Sequence, residues 1–156
     1  MNKIYDIEEW WITRNIIEWE SNKKLNWEDF NYDPDYKNIF YARVGITNRF
    51  NLENPLSIKT KTLFIPNDSF VSDTKDQRIL RAAQLRWSLL EIYRREMVLE
   101  FDSLKSINKK FSVEDMGKLS SKFYDKFEAE WDSYHGSSNI DKKLNQLEIR
   151  VNKGLN

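Results

Sequence analysis

The chain has 156 residues, 40% of them apolar and 32% charged, and its 25 Lys and Arg balance 25 Asp and Glu to zero formal charge. That composition is globular rather than disordered, and the balance removes the simplest electrostatic attraction to nucleic acid or an anionic membrane. Cysteine is absent, which excludes disulfides, thiolate catalysis, zinc fingers and iron–sulfur sites.

Taken in chain order, Asp6-Ile7-Glu8-Glu9 has the acceptor and the later glutamate of a capping box. Ile7, Trp11, Ile12, Ile16 and Trp19 follow near helical spacing, and Trp10 and Ile17 widen that stripe beyond one face. The pattern predicts a helix from about Asp6 to Asn22 that needs cover on two sides. Four of the 6 Trp lie within the first 27 residues, and Trp supplies core area and interface hot spots alike. The same stretch carries Asp6, Glu8, Glu9, Arg14 and Glu18, so no signal-peptide core is expected there. Nowhere does the chain approach the roughly 18 apolar residues of a membrane span.

Asn31, Asp33, Pro34, Asp35 and Asn38 make 26–38 an irregular segment. The period then changes. Ile39-Phe40-Tyr41-Ala42-Arg43-Val44-Gly45-Ile46 is rich in β-formers, and Leu56 to Ile65 alternates with Ile58, Thr60, Thr62 and Phe64 on one face. Two strands are expected, joined by a loop from Thr47 to Pro55 and closed by Pro66. Two strands alone are marginal. They must lie on helices or be completed by a strand of another chain. Lys59 and Lys61 on the outer face fit protection of an exposed edge.

The strongest signal is a long helix from about Asp73 to Ile107, capped by Asp73 or Thr74 and free of Gly and Pro. Ile79, Ala83, Leu90, Tyr93, Met97, Phe101 and Leu104 form one stripe, and Leu85, Leu89, Ile92 and Leu99 a second. At about 1.5 Å per residue it would run roughly 50 Å, against roughly 30 Å for a domain of this size. It is therefore expected to break or to project. Ser112 opens a further helix with Val113, Met116, Phe123, Phe127, Trp131 and Tyr134 on its stripe and Gly136 at its end. Ser138-Asn139-Ile140-Asp141 opens a last one, with Ile140, Leu144, Leu147 and Val151 at heptad spacing and Gly154 as a stop. The expected fold is α+β and mainly α, a single domain over 1–156. It has about four helices, one long and central, and a small two-stranded antiparallel β-hairpin inserted at about 39–65 after the first helix.

Catalytic material is sparse. The one histidine, His135, falls at a predicted helix end, where it complements the dipole. Gly117-Lys118-Leu119-Ser120 lacks the earlier glycine and the Lys-Ser/Thr pair of a phosphate loop. Asn31, Asp33 and Asp35 alternate like the start of a calcium loop, but Tyr36 stands where glycine is required and Ala42 where glutamate is. Pro34-Asp35 with Asp73-Thr74-Lys75 is similar to a metal-nuclease pattern, yet Asp73 falls at a helix start. Asp125, Glu128 and Asp132 share a helix face with Lys122 and Lys126 nearby, as solvated faces do. Arg78, Arg81, Arg86, Arg94 and Arg95 spread around the long helix and make no single stripe for a nucleic-acid groove.

These readings lead to a non-enzymatic structural or interaction subunit of a larger protein assembly, with no cofactor, no metal and no evident small-molecule ligand. Partners are expected to be other proteins, in a homo- or hetero-oligomer. Membrane and nucleic acid are not expected. The interface candidates are Trp10, Trp11, Trp19, Arg94, Met97, Phe101, Leu144, Leu147 and Val151. The excess of Asn, Lys, Ile, Tyr and Asp resembles coding by an AT-rich genome, and a phage virion or connector-ring (neck or tail) component fits. Its place would be the cytoplasm or a particle assembled there. A small soluble regulator or inhibitor of one protein target, of the immunity or anti-defence type, is the alternative. A nucleic-acid-binding protein is the third.

Overall fold

The structure, a computed structural model, describes residues 15–53, 55–107, 110–135 and 139–156. Strands β1 (Ile17–Glu18), β2 (Asn31–Tyr32), β3 (Phe40–Tyr41), β4 (Val44–Asn51), β5 (Ser57–Phe64) and β6 (Phe70–Val71) precede three helices. These are α1 (Gln77–Ile107), α2 (Val113–Ser133) and α3 (Ile140–Leu155).

The alternation in β5 finds its partner in β4. The two pair antiparallel from Val44 opposite Phe64 to Asn51 opposite Ser57. Period two puts Ile58, Thr60, Thr62 and Phe64 on the face toward α1, with Val44, Ile46, Asn48 and Phe50 across from them. The strand expected from Ile39 to Ile46 is two strands in different sheets, β3 and β4. β4 continues through the predicted loop to Asn51, so the connection is shorter than expected.

The expected count of four helices with one two-stranded hairpin is corrected. Among the described residues there are three helices and two three-stranded sheets, in the orders β1-β5-β4 and β2-β6-β3. Most of the predicted first helix, with Trp10 and Trp11, lies outside the described residues. Its described end is not helical. Ile17 and Glu18 pair with Phe64 and Leu63, and the Trp19 N–H donates to the Thr62 carbonyl at 2.9 Å. A β-branched residue facing an unpaired strand edge takes the ladder, whatever the local helical spacing. The third strand thus comes from this chain. The second sheet is made by turn-rich segments: β2 runs parallel and β3 antiparallel to β6. The Asn31 side-chain amide holds it by donating to the carbonyls of Pro66, Asn67 and Ser69 at 3.0–3.1 Å.

α1 starts later than the cap signal suggested. Asp73 accepts from the Lys75 N–H in the preceding loop, and Asp76 accepts from the Arg78 N–H at 3.0 Å as the helix begins. Its 31 residues are unbroken. It does not project bare, because α2 returns antiparallel along it and α3 runs parallel to it. Glu100 meets Lys122 and Arg86 meets Glu128, whereas Arg81 meets Glu148 and Arg95 meets the Leu155 carbonyl. The sheet covers the remaining side. Leu85 through Tyr93 are consequently all buried, the signature of a helix enclosed on every face. α2 opens with the predicted box, Ser112 and Asp115 bonding reciprocally. α3 opens with Asn139 accepting from the Lys142 N–H at 3.0 Å. The helix runs past Gly154 to Leu155, so that glycine is not a stop. A Cβ there would lie 2.5 Å from the Ile92 Cδ1, so glycine lets α3 approach α1 closely.

Candidate functional site

The charges along α1 are engaged by partners within the fold. Glu91 is 4% exposed. It accepts from Arg94 and Arg95 and from the Thr62 hydroxyl, all at 2.8 Å. Burial pushes the Glu91 carboxyl up, but the hydrogen bonds from Arg94, Arg95 and Thr62 outweigh it, so the group sits below its usual range. Arg94 also donates to the Thr60 hydroxyl, and Arg95 to the Leu155 carbonyl. A second, partly buried set joins Tyr93, Glu130 and Arg150 across the three helices. Burial first, then the nearby Glu130 charge, raise the Tyr93 phenol to about 12. Arg78 pairs with Asp76, Arg81 with Glu148 and Arg86 with Glu128, so all five arginines of α1 are paired within the chain.

Most of the sequence-selected residues are used inside the fold. Trp19 donates its indole N–H to Ser88 at 3.1 Å, with the Arg95 guanidinium 5.5 Å over its ring. Arg94 belongs to the Glu91 network. Met97 and Phe101 are buried where α1 meets its neighbours, and Leu144, Leu147 and Val151 form the buried face of α3. Trp10 and Trp11 are outside the described residues.

The open feature lies at the other end of α1. Three chain segments meet there: the first turns of α1, the end of α2 and the start of α3, with β3 alongside. Their ends diverge and leave an apolar cleft of about 300 Å³. Ile79, Ala82, Leu144 and Leu147 make its floor, all buried core residues. Ile39 and Ile140 stand at its lips, 60% and 47% exposed. The wall on one side is Phe40, Trp131 and His135.

That wall is fixed from behind. The Arg86 guanidinium lies 4.7 Å from the Phe127 ring centre and 5.1 Å from that of Trp131. It bonds the two Glu128 oxygens at 3.3 and 2.8 Å, and its Nε donates to the Ala42 carbonyl at 3.2 Å. A bidentate, stacked arginine is a stiff support. His135 stands edge-on to Trp131, ring centres 5.0 Å apart, its Nδ1 3.1 Å from the Trp131 carbonyl oxygen. Beyond the wall is a second, shallower hollow of about 550 Å³, bordered by Lys37, Tyr41, Glu128 and Asp132.

The remaining hollows differ in character. A groove of about 560 Å³ runs beside Trp19, α1 and α3, but its polar groups mostly satisfy one another. Gln84 accepts from the Leu25 N–H and donates to the Lys23 carbonyl, and Arg81 donates to Asn145 and Glu148. Asp33 accepts from the Asp35 N–H in a turn, and among the described residues no three His, Asp or Glu are grouped to hold a metal ion. No helix among them is long and apolar enough to cross a membrane.

Ile39 and Ile140 were not among the residues selected from sequence. Ile39 reads as the first residue of a strand and Ile140 as the first position of a core seam. Both sit where an element ends, and exposure there depends on how neighbouring ends diverge. No family model, curated protein or solved structure matches the chain.

Proposed function

We propose that the chain is a non-enzymatic interaction subunit that holds another protein chain at the cleft between β3 and the ends of the three helices. The observation that supports this is the pair Ile39 and Ile140, which stand exposed over a floor of buried apolar side chains. Covering what remains exposed of two isoleucines gains roughly 2–3 kcal/mol. Association costs roughly 4–15 kcal/mol in lost freedom. The lips alone cannot hold a partner. Its side chains must also enter the cleft, and a wider interface must surround it, as between folded subunits.

The test is a photo-reactive substitution, Ile39→p-benzoylphenylalanine, in the cells that make the protein. A discrete protein adduct is expected, and it is expected to vanish when Ile140→Asp is added. Irradiation that yields no protein adduct at this position would overturn the reading.

A further inference from the structure

We draw no further inference here: the strongest candidate, the hollow of about 430 Å³ on the outer face of the first sheet that Lys59 and Lys61 border, has Lys61 already paired with Glu18, and nothing in the structure shows what covers it.

Discussion

Around Glu91, the charged and hydroxyl groups close on one another: two arginines, two threonines and a carbonyl complete the set. Three turns earlier, Ile79 and Ala82 of the same helix look onto an open cleft with two exposed isoleucines at its lips. In one region the Glu91 carboxylate is fully engaged by partners of this chain, and the other leaves apolar surface uncovered. The closed network costs most to disturb, and the open cleft is where disturbance should be felt by a partner rather than by the fold.

Mutations can press on that contrast in order of size. Glu91→Ala strands two arginines beside a buried site, and breaking a buried pair costs about 3–5 kcal/mol. Urea denaturation at neutral pH should show a loss of that order, and a loss below 1 kcal/mol would mean the network is not sealed. The contribution also has a pH signature. The Glu91 carboxyl is held below its usual value of 4.5 in the folded state. Its stabilisation should be full above that value and fade as pH falls through the lower folded value. The gap between native and Glu91→Gln stabilities should therefore narrow only on acidification.

Next comes Arg86→Lys. A lysine keeps the charge but loses the fork onto Glu128, the Ala42 bond and the guanidinium's contact with the Phe127 and Trp131 rings. The expected cost is about 1.5–3 kcal/mol, and because the cleft wall leans on this group, partner binding at the cleft should weaken as well. Ser112→Ala removes the α2 cap on the far side of the molecule and should cost about 1 kcal/mol, read by the same denaturation, with association unchanged. Ile39→Asp and Ile140→Asp should shift stability least, within about 0.5 kcal/mol, while moving association most. If either unfolds the chain, the lips belong to the core and the contrast collapses. The phenol of Tyr93 offers a check that leaves stability aside. Burial also raises the Tyr124 and Tyr134 phenols, but Tyr93 is pushed furthest, to about 12, so ultraviolet titration should show a last tyrosine step that Tyr93→Phe removes.

The elements with long repeats were readable from residue order. Ile79 through Phe101 carry the stripes of α1, Met116, Phe123, Phe127 and Trp131 that of α2, and Ile58 to Phe64 the alternation of β5. Those patterns persist because each side chain in them meets the same neighbour layer. The strands β1, β2, β3 and β6 have two residues each, too few for any period to register. Ile17 fits a helical stripe as well as a strand, and only the free edge of β5 decides between them. The interface candidates were chosen for apolar size and helical spacing, the properties that also build a core. Met97, Phe101, Leu144, Leu147 and Val151 are indeed in it. The cleft is set by where three segments end relative to one another, which no local pattern encodes.

The enclosure of Leu85 through Tyr93 on every side means one helix stands in the middle of a single core shared by the sheet and the helical pair. Neither half can come away without stripping the other. The protein is thus expected to lack partly open forms that keep one layer intact. Amides along this stretch should exchange with solvent only when the whole chain opens, so their exchange free energy measures its total stability.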